Sequence, residues 1–184
     1  VKDLDFIRGS APMTKEEVRA IVVSKLSLRE AYGLLDIGAG TGSISIEAKL
    51  TYPHLQVIAL EQHEESCELI QKNCEKFQVR DLKVIAERAP CEIVTKGINR
   101  FFIGGSEGAL KDILEWIITL APSGIVVATA ITLETQQRLI EELTKAPFRG
   151  AHFTYVQVNQ VAELGTSYYM KPQNPIFIAC AEFS

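Results

Sequence analysis

The sequence predicts an α/β fold: a mostly parallel sheet of seven strands, helices on both faces, and an antiparallel hairpin at the C-terminal end. Three observations predict it. Strand-like and helix-like segments alternate along most of the chain. The middle strands, such as Phe101-Phe102-Ile103 and Ile125-Val126-Val127-Ala128, are apolar without alternation, as strands covered on both faces are. The last two strand-like runs follow each other with no helix between them.

The first element is a helix over 14–31. Thr14 and Glu17 have the spacing of a capping box, and Met13 and Val18 stand where a hydrophobic staple would. Pro12 favours an extended approach. Val18, Ile21, Val22 and Leu26 form the buried stripe. Strands are expected near 34–37, 55–60, 82–86, 100–104 and 124–130, with helices near 43–52, 62–77, 107–121 and 133–146. The runs 150–161 and 175–183 should pair as the final hairpin, with 163–174 as a long loop between them. The 184 residues are enough for one well-filled core, and no repeat or linker divides them, so 1–184 is expected to be a single domain.

Composition narrows the function. A net charge of −4 does not suit a general nucleic-acid surface. No apolar run reaches the roughly 20 residues of a membrane span. The N-terminal Val1-Lys2-Asp3-Leu4-Asp5 lacks the apolar core of a signal peptide, and the missing initiator Met is read as trimming. Cys67, Cys74, Cys91 and Cys180 form no C-x-x-C pair, which argues against zinc and redox chemistry, and no metal is expected. Cys67, Ile70, Cys74 and Phe77 fall on one helical face, so the thiols read as buried and reduced, which suits the cytoplasm.

The chemistry is concentrated in Leu34-Leu35-Asp36-Ile37-Gly38-Ala39-Gly40-Thr41-Gly42, an apolar strand running into a glycine turn with an acid two places before the first glycine. Glycines in a strand-to-helix turn let backbone N–H groups approach a ligand. A dinucleotide turn, G-x-G-x-x-G, would need glycine at position 43, which holds Ser43. The acid-first form suits a ligand with a cationic amino-acid end, received by Asp36 or the neighbouring backbone. S-adenosylmethionine is such a ligand. The next strand ends at Glu61, about 20 residues on, where nucleotide-binding folds place a carboxylate on ribose hydroxyls.

Further stretches carry a family resemblance: Asp5-Phe6-Ile7-Arg8, Pro12-Met13-Thr14-Lys15-Glu16-Glu17-Val18-Arg19, the glycine turn through Ala48, Ala89-Pro90, Phe102-Ile103-Gly104-Gly105-Ser106 and Asn174-Pro175. Over nearly its whole length the chain resembles the decarboxylating cobalt-precorrin-6B (carbon-15) methyltransferases of cobalamin synthesis. It is similar too to the C-terminal half of precorrin-6Y carbon-5,15-methyltransferase. The resemblance implies the Rossmann-like class I methyltransferase fold, S-adenosyl-L-methionine as cofactor and a tetrapyrrole substrate. It also implies a homo-oligomer, possibly a tetramer, and no nucleic-acid or membrane partner. It implies cofactor contacts at Thr14, at the glycine loop Gly38, Ala39, Gly40, Thr41 and Gly42, at Glu61 on the ribose and at Ala89 beside the adenine. Three positions depart from the family pattern. Glu87-Arg88 replaces Gly-Asp before Ala-Pro. Glu107 interrupts Gly-Gly-Ser-Gly-Gly, where it reads as a helix-starting acid facing the dipole. Val161-Ala162-Glu163-Leu164-Gly165 lacks a basic pair.

The reaction so implied is methylation at carbon-15 with loss of carbon dioxide from the ring C acetate. A substrate with many carboxylates calls for local cations, and Arg8, Lys15 and Arg19 stand beside the expected cofactor site, with Lys171 in the late loop. Gly104, Gly105, Ser106 and Glu107 are read as the substrate edge. His63, Glu107 and Tyr168 are acid–base candidates by chemical type only. Two alternatives stand beside this reading: another small-molecule methyltransferase of the same fold, and a non-catalytic adenosylmethionine-binding scaffold. Ile103-Gly104-Gly105-Ser106 lacks the polar-Pro-Pro-aromatic motif of amino-methylating nucleic-acid enzymes.

Overall fold

A computed structural model describes residues 1–184. Its elements in order are α1 (Glu16–Lys25), β1 (Gly33–Ile37), α2 (Ser43–Thr51), β2 (Gln56–Leu60), α3 (Glu64–Lys76), β3 (Leu82–Ile85), β4 (Arg100–Ile103), α4 (Leu110–Leu120), β5 (Gly124–Ala130), α5 (Leu133–Leu143), β6 (Phe148–Val156), β7 (Asn159–Leu164), β8 (Ser167–Pro172) and β9 (Ile176–Phe183). Seven strands form one sheet in the order β3-β2-β1-β4-β5-β9-β6. β1 to β5 pair in parallel, and β9 runs antiparallel to both β5 and β6. The α/β class, the strand number and the antiparallel end agree with the sequence reading. From β1 the chain winds out to β3 and returns to β4 on the other side of β1. The strand order reverses there, so the carboxyl ends of β1 and β4 border a crevice.

Strand parity divides the core. Leu35 and Ile37 join Phe101, Ile103 and the inner faces of α4 and α5. Leu34 points the other way, into a cluster with Val57, Phe102, Val127 and the α1 and α2 residues Val18, Val22, Ile44 and Ala48. Every residue of β1 is buried, as a strand covered on both faces requires. On the inward face of α3, Cys67 and Ile70 are buried and Cys74 is half-buried, as their helical spacing implies. No helix is long and apolar enough to cross a membrane.

Three local expectations are corrected. α1 starts at Glu16 with Lys15 at its N-cap and no side-chain cap, so Thr14 forms no capping box. Met13 packs with Phe6 and Ile46 instead of stapling to Val18. The helix ends at Lys25, and Ser27 adopts a left-handed conformation that the α-helix cannot continue through. The segment 163–174 is not a loop. β7 and β8 form a two-stranded ribbon around Gly165-Thr166, with Val161 opposite Met170.

Arg19 carries the largest correction. It does not face a substrate; its side chain is only 1% exposed. Nε donates to Glu47 Oε2 at 3.1 Å, and Nη1 donates to Asp3 Oδ1 at 3.1 Å and to the Thr14 carbonyl at 2.7 Å. Nη2 donates to the Val1 carbonyl, and the guanidinium lies 5.1 Å from the Phe6 ring centre. One fork thus holds the N-terminal segment against α1 and α2, a task suited to arginine's five fixed donors. Removing one side of a buried ion cluster leaves the other charges uncompensated. Because Asp3 and Glu47 retain some solvent, Arg19→Met should lower unfolding stability by about 2–4 kcal/mol. Urea denaturation measures this; a midpoint unchanged from wild type would remove the cluster from the stability account.

Candidate active site

A cavity of about 1120 Å³ opens at the carboxyl ends of β1, β2, β4 and β5. One end is bounded by Ser10 to Lys15, Gly38 to Gly40, Glu61 to His63 and Glu87 to Ala89; the other by Ala128 to Thr132, Val158 and Lys171. Small-molecule pockets usually enclose about 300–1,000 Å³, so there is room for two ligands side by side.

The glycine turn is built on close approach. Gly38, Gly40 and Gly42 have φ of +69°, +57° and +75°, the region only glycine enters freely. Each is also crowded by a different segment. A Cβ on Gly38 would lie 2.9 Å from the Gly105 carbonyl, one on Gly40 3.0 Å from the Pro12 carbonyl, and one on Gly42 3.0 Å from Ile70. The Gly38 and Ala39 N–H groups donate to the Leu60 carbonyl at 2.9 and 3.2 Å, which fixes the turn to the end of β2. Glu61 follows directly and is buried. Its Oε2 accepts from Gly40 N–H at 2.9 Å and its Oε1 from His63 N–H at 3.0 Å. The acid therefore braces the turn while lining the cavity.

The structure brings Thr14, Gly38, Ala39, Gly40, Glu61 and Ala89 to one cavity, together with Lys15, Gly104, Gly105, Ser106 and Glu107. Asp36, Thr41 and Gly42 do not line it. Asp36 shares the parity of Leu34, so its carboxylate points beneath the turn and accepts from Ser45 Oγ at 2.6 Å. Thr41 is fully buried, with its hydroxyl unpartnered, as is Asp36 Oδ1. Gly42 faces Ile70. Arg8 does not line the cavity; its guanidinium lies 3.7 Å from Met13 Sδ. Lys15 does line it, 3.8 Å from Asp3. Tyr168 is exposed on β8 away from it, whereas Lys171 on the same strand reaches it.

Glu107 does not begin α4, which starts at Leu110. It sits at φ +45° and spans toward β2: His63 Nε2 lies 3.2 Å from Glu107 Oε1. A carboxylate only accepts, so Nε2 carries the proton and donates. The Gln62 amide is the first of the donors that hold the Glu107 carboxyl below its ordinary range, with His63 next. Sequence reasoning missed the Ile131-Thr132 stretch at the end of β5, and Arg88 appeared only as a departure. The rule that ligands lie at strand carboxyl ends marks the first. No group of three or more His, Cys, Asp or Glu side chains offers a metal site.

The donor set fits a nucleoside cofactor with an amino-acid tail. A buried acid with spare lone pairs stands where a vicinal diol needs an acceptor. A small residue, Ala89, leaves backbone free for a base edge, and the turn leads into the N-terminus of α2. Fold and site together define a Rossmann-like methyltransferase. The profile of the precorrin methyltransferase domain matches residues 5–181, and the chain belongs to that family. It is 39% identical over 183 residues to the cobalt-precorrin-6B C(15)-methyltransferase (decarboxylating) of Salmonella typhimurium, covering 98% of this chain and 95% of that one. Among solved structures it resembles the precorrin-6y C5,15-methyltransferase of Geobacter metallireducens. The TM-score is 0.91 at 31% identity, covering 100% of this chain and 97% of the other. It also resembles the precorrin 8w decarboxylase of Methanobacterium thermoautotrophicum, with a TM-score of 0.89 at 25% identity and 98% of each chain covered.

Asp36 makes the site's foundation sensitive to pH. Burial disfavours its charged form and raises its pKa from 3.8 to about 7; Ser45 opposes the shift and the Glu61 charge adds to it. Because the folded-state value is the higher one, folding retains the proton. Asp36 costs nothing below about pH 3.8, an increasing amount as pH rises to about 7, and a constant amount above that. A shift of this size corresponds to a loss of about 4 kcal/mol. Asp36→Asn should lack that loss. Urea midpoints at pH 4 to 8 should show the variant gaining on wild type as pH rises, and parallel curves would refute the assignment.

Proposed function

We propose that this chain, as a single domain over residues 1–184, transfers a methyl group from S-adenosyl-L-methionine to carbon-15 of cobalt-precorrin-6B, or of precorrin-6Y in its place. The ring C acetate loses carbon dioxide, and the step belongs to cobalamin biosynthesis in the cytoplasm. The observation that carries this reading is the full-length likeness to the Salmonella relative of that name. The two-ligand cavity supports it.

The cofactor supplies a methyl group already activated on a sulfonium. The chain's own residues bind, orient and exclude water, and positioning can supply most of the acceleration. Glu61 would accept from the ribose hydroxyls, Ala89 would admit the adenine edge, and Thr14 with the glycine turn would hold the amino-acid end. Lys15, Arg88 and Lys171, set on three separate segments around the cavity, would receive substrate carboxylates. Gly104 to Ser106, at the end of β4, would face the reacting edge. The macrocycle is its own electron sink for the departing carbon dioxide.

Incubation with methyl-labelled adenosylmethionine and either tetrapyrrole, cobalt-bound or metal-free, should yield methylated product and carbon dioxide together. Methyl transfer without carbon dioxide overturns the reaction, and cofactor binding with no turnover on either substrate leaves a binding module. Glu61→Ala should weaken adenosylhomocysteine binding by about 1.5–3 kcal/mol, the value of charge-assisted hydrogen bonds. Because Glu61 also ties Gly40 and His63, thermal stability should fall as well. An unchanged dissociation constant in calorimetry would take Glu61 out of the cofactor site.

The assembly we infer is a homo-oligomer, a tetramer in the family reading, without nucleic-acid or membrane partner. β6 is an open sheet edge, and the β7–β8 ribbon exposes Val161 at 72% and Met170 at 67%, opposite each other. Light scattering at micromolar concentration should give a multiple of 20.4 kDa; a monomeric mass would reject it.

A further inference from the structure

The loops following β2 and β4 are joined by side chains that neither the glycine turn nor the proposed cofactor contacts require. β1 lies between those two strands. Neighbouring strands are about 4.8 Å apart, so the loops leave from points roughly 10 Å apart, with the glycine turn between them. The His63–Glu107 hydrogen bond of 3.2 Å closes that gap, and the Gln62 amide stands beside it, 3.4 Å from His63 Nε2. All three side chains line the cavity.

The two ends of the tie differ in how their backbones are anchored. His63 is held at its backbone by Glu61 Oε1. Glu107 lies between Gly105 and Gly108, and a Cβ on either glycine would meet nothing within 4 Å. One end is therefore anchored beside the glycine turn, and the other follows Gly105, whose backbone packs against Gly38, on a stretch that is open at Gly108. The side chains are 64% and 57% exposed, so the tie is the outermost layer on this side of the cavity.

We propose that His63 and Glu107 form a clasp across the nucleoside end of the cavity and set the rate of cofactor exchange; this rests on the cofactor reading above. The tie joins protein groups only, so it resists arrival and departure alike and leaves affinity nearly untouched. Opening moves the Glu107 loop and leaves the glycine turn in place. An exposed pair is weak, so the clasp slows exchange by a small factor rather than sealing the site.

The test is adenosylhomocysteine exchange by stopped flow on the full chain. Glu107→Gly suits it because glycine is at ease at φ +45°, so the variant should melt no lower than wild type. His63→Ala removes a largely exposed ring. Each should raise association and dissociation rates together, about 2- to 5-fold, with the dissociation constant within 2-fold of wild type. The double variant should match the singles, because either loss breaks the same tie. Glu107→Gln, which keeps an acceptor without the charge, should fall between. Unchanged rates overturn the clasp. A faster dissociation with unchanged association also overturns it, since that marks direct cofactor contact. If wild type binds no adenosylhomocysteine, the cofactor reading fails and the clasp with it.

Discussion

The approach of three chain segments to the backbone of Gly38, Gly40 and Gly42 is the constraint on which the site depends. At each glycine, the space a Cβ would need is taken by protein: the β4 loop, the N-terminal segment and α3. The turn is therefore a junction as well as a cradle. It fixes the distance between the end of β4 and the end of β1, and so the width of the crevice at the strand reversal. Glu61 reinforces the junction by bonding Gly40. Asn73 does so from α3: its amide donates to the carbonyls of Thr41 and Ile7, and its carbonyl accepts from Ile7 N–H. This fully bonded buried amide joins turn, helix and N-terminal segment.

The Arg19 cluster holds the other side of the same segment. Residues 1 to 15 form no α-helix or strand, and their order comes from a few polar anchors with Phe6 and Met13 pressed onto Ile46. Through Ser10 to Lys15 this segment walls the cavity. A charge network that reaches the cavity wall through the Thr14 carbonyl thus helps set the shape of the binding site. Buried ion clusters contribute little net stability relative to apolar packing, but they tolerate no missing member.

Much of this was legible in the sequence. The apolar runs of β1, β4 and β5 required cover on both faces, and the glycine turn with Glu61 downstream located the cavity. Other features could have been read and were not. Arg19 is spaced i, i+3, i+7 with Val22 and Leu26 on the stripe that was read as buried, so its burial followed from periodicity; its partners Asp3 and Glu47 did not. Asp36 shares the parity of Leu34 and had to point under the turn. Gly165-Thr166 between two strand-like runs is a two-residue hairpin signal, masked because neither flanking run buries a face against the core. The span from Glu107 to His63 joins residues 44 positions apart and depends on a left-handed backbone that glutamate rarely adopts, which no local pattern announces.

β9 is the last strand in the chain and lies inside the sheet, with β5 on one side and β6 on the other. β6 pairs with nothing else. On a ribosome, β1 to β5 emerge in an order that lets each strand add to a growing parallel sheet, while β6 waits unpartnered until β9 has been made. The nascent chain therefore carries an open β5 edge, apolar at Val126 and Val127, through the synthesis of about fifty residues. Insertion of β9 closes that edge and gives β6 its place in the same step. Completion of the sheet thus waits for β9, and the interval before it is when the chain is most exposed to misassociation.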